Sequence, residues 1–156
     1  MELNKRFIDF YMDVAHRTAE LSRAVRLKVG AIIVKDTRIT SIGYNGTPAG
    51  WDNNCEYEDM QFSRAVFGET QTLISAGLKT KPEVIHAEMN ALMKLARSSE
   101  SGEGATLFIT HSPCIDCAKS IAISGIKKVY YRTSYRSNDG IDLLEKSGIY
   151  VEQCNQ

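Results

Sequence analysis

The segment 106–131 constrains this chain more than any other. Residues 106–110, TLFIT, read as a buried strand; residues 114–124 read as a helix that Pro113 opens and Gly125 stops; residues 128–131 read as a second strand. A further helix at 139–146, stopped by Gly148, and a strand at 149–152 repeat the alternation. Strands and helices that alternate in this way bury each other's apolar sides, so the pattern predicts an α/β fold with a mixed sheet and helices on both faces.

The N-terminal half supplies the other elements. Leu3, Phe7, Phe10, Tyr11, Val14, Thr18 and Leu21 follow helical spacing and predict an amphipathic helix laid on that sheet. Residues 30–34 and 38–42 read as two strands of a hairpin with a turn at 35–37. The loop that follows, Gly43-Tyr-Asn-Gly-Thr-Pro-Ala-Gly50, is built of residues that tolerate left-handed backbone or fix a turn. From Trp51 to Pro82 periodicity is poor, and the reading predicts helices over 59–67 and 70–75. A helix over 86–97 comes next. With 156 residues and no linker, repeat or low-complexity run, a single domain over 1–156 is expected.

Charge and composition narrow the function. The 19 basic and 19 acidic side chains cancel, which argues against a nucleic-acid or membrane-surface partner. The N-terminus alternates charged with apolar residues, reads as neither signal peptide nor membrane span, and predicts a cytoplasmic protein. Four cysteines are too few for a disulfide framework. Two of them form Cys114-x-x-Cys117, a spacing that inside cells signals metal or redox chemistry.

His86-Ala-Glu88 poses a geometric problem, because residues two apart on a helix do not face one another. If the helix only begins at His86, both side chains can point into one site from its mouth. Pro113 likewise places Cys114 and Cys117 on the first turn of their helix, where free N–H groups and the helix dipole favour thiolates. One histidine and two thiolates suit a tetrahedral zinc with a fourth position open, the mark of a catalytic site, with Glu88 as a nearby carboxylate that is not a ligand. A redox pair would want an aromatic-Cys-Gly-Pro-Cys context that is missing. A structural zinc would want a fourth ligand, for which Cys55, His111 and Cys154 are the candidates.

In this order, His-x-Glu followed by Pro-Cys-x-x-Cys matches the signature of zinc nucleobase deaminases. With Val29-Gly-Ala, Gly43-Tyr-Asn-Gly-Thr-Pro, His86-Ala-Glu-Met-Asn-Ala, Ser112-Pro-Cys-Ile-Asp-Cys-Ala-Lys and Ser124-Gly-Ile-Lys-Lys-Val, the chain resembles the cytidine and deoxycytidylate deaminase family, in its phage and bacterial deoxycytidylate (dCMP) branch. The resemblance implies a three-layer α-β-α fold on a five-stranded mixed sheet, with residues 51–83 as a family-variable insertion. It implies one catalytic Zn2+ on His86, Cys114 and Cys117, and no second zinc at Cys55. Hydrolysis of dCMP to dUMP and ammonia would follow, with attack of an activated water on C4 and Glu88 passing protons to N3 and to the amine, and the dUMP would feed thymidylate synthesis. Asn45 would bind the deoxyribose. Arg26 and Lys28, with Arg23 beside them and Tyr135 and Arg136 opposite, are the candidates for the phosphate. The family further implies a homohexamer that dCTP activates and dTTP inhibits, each with Mg2+, at a site including Gly43, Tyr44, Asn45 and Gly46. A deaminase of another cytosine or purine substrate, or a zinc-stabilised binding module without catalysis, are the alternatives that the residues leave open.

Overall fold

The computed structural model describes residues 3–62, 68 and 70–155. Helix α1 (Lys5–Ala19) is capped by Asn4, whose side chain accepts from the Phe7 N–H. Strands β1 (Gly30–Lys35) and β2 (Arg38–Tyr44) form the expected hairpin. Its two turn residues, Asp36 and Thr37, take positive φ of 49° and 62°, the geometry whose twist matches the flanking strands. Strands β3 (Glu56–Phe62) and β4 (Leu73–Thr80) pair with each other as a separate two-stranded sheet. The alternating half then runs α2 (Ala87–Ala96), β5 (Thr106–His111), α3 (Ile115–Ile123), β6 (Lys128–Thr133), α4 (Asp139–Lys146) and β7 (Tyr150–Gln153).

The main sheet has the order β2-β1-β5-β6-β7, antiparallel across β2, β1 and β5 and parallel from β5 to β7. This is the mixed sheet that the pattern predicted, with the five strands and three layers that the resemblance implies. Its central strands are apolar on both faces. Ala31, Ile33, Leu107 and Ile109 pack with Ala91, Leu92, Ala118, Ile121 and Leu144 of α2, α3 and α4. Ile32, Val34, Phe108 and Tyr130 point the other way, onto Tyr11, Met12 and Ala15 of α1. There the Phe108 and Tyr130 rings stack at 5.1 Å, with 14° between their planes.

Two expectations need correcting. The covered stripe of α1 is Tyr11, Met12, Ala15, Thr18 and Ala19, while Phe7 and Phe10 stay 45% and 54% exposed. The cause is a close approach: a side chain at Gly30 would lie 2.2 Å from the Ala15 carbonyl oxygen. The helix therefore sets Ala15 and Ala19 over Gly30, with Tyr11 and Met12 packed on the sheet beside them. The helices expected over 59–67 and 70–75 are also not found among the described residues: 59–62 lie in β3 and 73–75 in β4, while residues 63–67 fall outside the described chain. Period-two alternation decides this: Met60 and Phe62 share one face with Leu73, Ala76 and Leu78, and Tyr57, Asp59 and Gln61 share the other.

Candidate functional site

Both motif helices begin where the site needs them to. His86 is the N-cap of α2 with extended backbone, φ −68° and ψ 154°, so it is not yet helical and its ring shares the helix mouth with Glu88. Cys114 is the N-cap of α3, φ −69° and ψ 166°, and Cys117 lies in its first turn. The geometric problem set by His-x-Glu is resolved in this way.

The two helix starts are fixed by backbone contacts as much as by side chains. Strand β2 approaches α2 so closely that a side chain at Gly43 would sit 2.2 Å from the Ala87 carbonyl oxygen and 2.4 Å from the Ala91 nitrogen. Ser41 donates to the Ala91 carbonyl at 2.7 Å, and the Asn90 amide donates to the Tyr44 carbonyl at 2.8 Å. Gly46 and Ile85 exchange backbone bonds of 3.1 and 2.8 Å, which ties the glycine-rich loop to the residue just before His86. On the other side, the Ser112 N–H donates to the Thr133 carbonyl, and Ser112 Oγ accepts from the Tyr135 N–H, both at 2.8 Å. Tyr135 is thereby held next to the cysteine loop.

His86 Nδ1 lies 3.5 Å from Cys114 Sγ and 3.4 Å from Cys117 Sγ, and the three ligand atoms are all within 4.8 Å of one another. Zinc bound at about 2.3 Å by sulfur and about 2.0 Å by nitrogen, at tetrahedral angles, requires a nitrogen to sulfur edge of roughly 3.5 Å. The donors fit that ion in type and spacing. No fourth protein ligand joins them among the described residues. Cys55 is buried instead with Ala24 and Val84, and Cys154 in the core beneath α1. His111 Nδ1 lies 2.9 Å from Thr110 Oγ1, and its ring meets Tyr135 edge-on at 6.4 Å.

Without a metal the cluster shares its protons. The Cys114 thiol is pulled down to about 4 by hydrogen bonds from Cys117 and His86. Cys117 is pushed well up by donating to Cys114 and by burial, and His86 is raised by its bond to Cys114. A cation in the middle takes over the role of those protons. Glu88 is 4% exposed, and burial raises its carboxyl to about 7. It can therefore hold or release a proton near neutral pH, as a general acid and base must.

A cleft of about 450 Å³ opens onto these groups. His86, Glu88 and Cys114 line its floor, with Asn45, His111 and Tyr135 around them and Arg26 and Arg136 among its walls. Lys28 is not among the lining residues, and Arg23 lines a neighbouring cleft of about 220 Å³ with Tyr44, Gly46 and Lys94. Asn45 reaches both clefts. Its carbonyl oxygen accepts from the Val29 N–H and its amide donates to the Leu27 carbonyl, each at 2.8 Å, leaving one lone pair and one N–H for a ligand. The sequence offers His111 only as a possible metal ligand and does not mark Thr80, Val84 and Ser134 as cleft residues. Nothing local in the sequence marks these, because they are brought in by the hairpin and by the end of β6.

The profile described as cytidine and deoxycytidylate deaminase zinc-binding region matches residues 5–133. Deoxycytidylate deaminase of Enterobacteria phage T4 is 39% identical over 166 residues, spanning 90% of this chain and 86% of that protein. The human deoxycytidylate deaminase is 32% identical over 133 residues, spanning 84% of this chain and 67% of that one. The crystal structure of dCMP deaminase from the cyanophage S-TIM5 in complex with dCMP and dUMP superposes with a TM-score of 0.82 at 44% identity, covering 98% of this chain and all of that one. On motif, fold and similarity over nearly its whole length, this chain belongs to the cytidine and deoxycytidylate deaminase family.

Proposed function

We propose that this protein is a zinc-dependent hydrolase that converts dCMP to dUMP and ammonia, a source of dUMP for thymidylate synthesis. One observation carries the reading: His86, Cys114 and Cys117 stand at zinc-ligand spacing around an open position, with the buried Glu88 beside them on the floor of one cleft. The similarity to the phage enzymes supports dCMP over other cytosine substrates.

A zinc ion on these ligands supplies Lewis acidity that makes water a nucleophile near neutral pH. Everything else falls to the chain. Glu88 takes one proton from the attacking water and delivers it to ring N3, then moves the remaining water proton from the new C4 hydroxyl to the amine, which leaves as ammonia as the C4 carbonyl forms. Burial, which raises the Glu88 carboxyl, helps it hold the proton between the two transfers. Asn45 uses its remaining lone pair and N–H on the sugar hydroxyl. The edge-to-face pair of His111 and Tyr135 borders the position of the base, where burial keeps His111 neutral. Among the described residues Arg26 and Arg136 are the cations that line this cleft, so the phosphate contact expected of Arg26 and Lys28 is assigned to Arg26 and Arg136.

The second cleft suits the regulatory site that the family implies. It is lined by Gly46 and Thr47 of the glycine-rich loop, with Arg23 and Lys94 as cations, the latter over the Tyr44 ring at 5.1 Å. Asn45 belongs to both clefts, so a triphosphate with Mg2+ that orders this loop also acts on the substrate side. On this reading dCTP activates, dTTP inhibits and the working particle is a homohexamer. No helix among the described residues is long and apolar enough to cross a membrane, in keeping with a cytoplasmic nucleotide enzyme.

The test is a substrate panel of dCMP, dCTP, cytidine and a short cytosine-containing oligonucleotide, followed by loss of cytosine absorbance. The reading expects turnover of dCMP well above the rest. Turnover led by another member would reassign the substrate, and none with any member would leave a zinc-stabilised binding module.

A further inference from the structure

The β3–β4 hairpin is the largest part of the chain that the proposed chemistry does not use, yet its foot reaches the active-site cleft. Glu56, the first residue of β3, is only 6% exposed although most of the hairpin is open to solvent. Its Oε1 accepts from the backbone N–H groups of Val25 and Arg26, at 2.9 and 3.1 Å. Across the hairpin Glu56 pairs with Thr80, the last residue of β4. Thr80 Oγ1 in turn accepts from Arg26 Nη1 at 3.1 Å. One side of the hairpin foot holds the backbone of Arg26, and the other side holds its guanidinium.

The connection between α1 and β1 needs such a hold. Its two flanks are pinned from the loop after β2: Ser22 Oγ donates to the Asn45 backbone carbonyl, and the Asn45 side chain bridges Leu27 and Val29. The bend at Val25 and Arg26 lies between those anchors. A buried carboxylate that collects two adjacent N–H groups makes charge-assisted bonds, about twice as strong as neutral ones. It also sets the direction in which the Arg26 side chain leaves the backbone. An arginine has much rotamer freedom to lose when it grips a ligand, so fixing it beforehand tightens binding without adding a contact.

We propose that the foot of the hairpin, through Glu56 and Thr80, positions Arg26 for the phosphate of the nucleotide. Neither residue acts on the reacting atoms. This rests on the reading of Arg26 as a phosphate contact, and it assigns a function to the 51–83 insertion: the hairpin presets the discrimination between a nucleotide and a nucleoside.

The test is calorimetric binding of dUMP and of deoxyuridine to the zinc-loaded enzyme and to Glu56→Ala, Glu56→Gln, Thr80→Val, Arg26→Ala and Glu56→Ala/Arg26→Ala variants. Glu56→Ala is expected to weaken dUMP on the order of tenfold and to leave deoxyuridine unchanged. In the Arg26→Ala background the same change is expected to do nothing further, since its effect runs through that arginine. Glu56→Gln keeps an acceptor oxygen of the same reach and is expected to restore most of the dUMP affinity. If Arg26→Ala leaves the ratio of dUMP to deoxyuridine affinity unchanged, the phosphate reading itself is wrong. If Arg26→Ala lowers that ratio but Glu56→Ala weakens both ligands equally, or neither, the positioning proposal is overturned. Should Glu56→Ala fail to fold, Thr80→Val decides alone: a selective loss for dUMP supports the proposal, and an unchanged ratio refutes it.

Discussion

Replacing Gly43 with alanine tests how far the active-site geometry depends on one backbone contact. The φ of Gly43 is not positive, so alanine can adopt the conformation and any penalty is steric. The added carbon would stand 2.2 Å from the Ala87 carbonyl oxygen, 2.4 Å from the Ala91 nitrogen and 2.9 Å from the Ala91 side chain. Ordinary contact begins near ~3.4 Å, so helix α2 must lift by about 1 Å, and backbone cannot yield as a flexible side chain does. Overpacking of this kind costs about 1–3 kcal/mol, and the upper end is expected where both partners are backbone. At about 2–4 °C per kcal/mol for a chain of this size, the melting temperature should fall by roughly 6–12 °C. Because α2 carries His86 and Glu88, the same shift should cut kcat by up to ~10²-fold even where the protein is folded. Thermal melts and dCMP turnover of Gly43→Ala are compared with Gly77→Ala, a β4 position with no atom within 4 Å of the added carbon, which should be near neutral. A Gly43→Ala enzyme that melts with the parent and turns over at its rate would refute the argument that this approach sets the site.

Three further outcomes follow from the site. Cys114→Ser should lose zinc and, because the ion joins the starts of α2 and α3, should also melt lower; a variant with full zinc by metal analysis would remove Cys114 from the ligand set. In chelated, zinc-free protein, the Glu88 carboxyl is raised from 4.5 to about 7, so its protonation contributes stability that is complete below pH 4.5 and lost as pH rises through about 7. That loss amounts to about 3 kcal/mol, and Glu88→Gln should therefore be the more stable protein in urea at pH 8 with the difference fading by pH 4; a constant difference across that range would mean that Glu88 is not buried as a neutral acid. For regulation, dCTP with Mg2+ should turn a sigmoidal dCMP curve hyperbolic, dTTP should raise its midpoint, and saturating substrate should shift dCTP affinity in the matching sense. Hyperbolic kinetics indifferent to both triphosphates, with the oligomer intact, would remove the effector reading and leave the deaminase one in place.

Sequence pattern carried furthest where one residue sets one boundary. Helix α4 runs Asp139–Lys146, the bounds that Gly148 and the apolar spacing predicted, and both motif helices begin at the residue the chemistry required. Reading failed where partners distant in sequence decide. The expected face of α1 holds at Leu3, Tyr11, Val14 and Thr18 and fails at Phe7 and Phe10, because the close approach at Gly30 sets Ala15 and Ala19 against the sheet. The hairpin reads as helix because its strands mix charged with apolar residues and lack β-branched runs, and its pairing is visible only once both strands are set side by side. Among candidate site residues, His86, Glu88, Cys114, Asn45, Arg26 and Tyr135 meet in one cleft, while Lys28 stands outside its lining. The spacing of charges along a loop does not say which of them turns inward; here Glu56 and Thr80, some thirty and more residues further on, hold Arg26 in place.

The most direct test of the central claim is single-turnover and steady-state deamination of dCMP by Glu88→Gln, with zinc content and dUMP binding measured on the same preparation. The amide keeps the shape of the carboxylate but cannot carry a proton. The account predicts full zinc, dUMP affinity close to that of the parent, and turnover lower by several orders of magnitude. Turnover within a few fold of the parent, with zinc and dUMP bound normally, would contradict it, because the proton would then be moving through some other group.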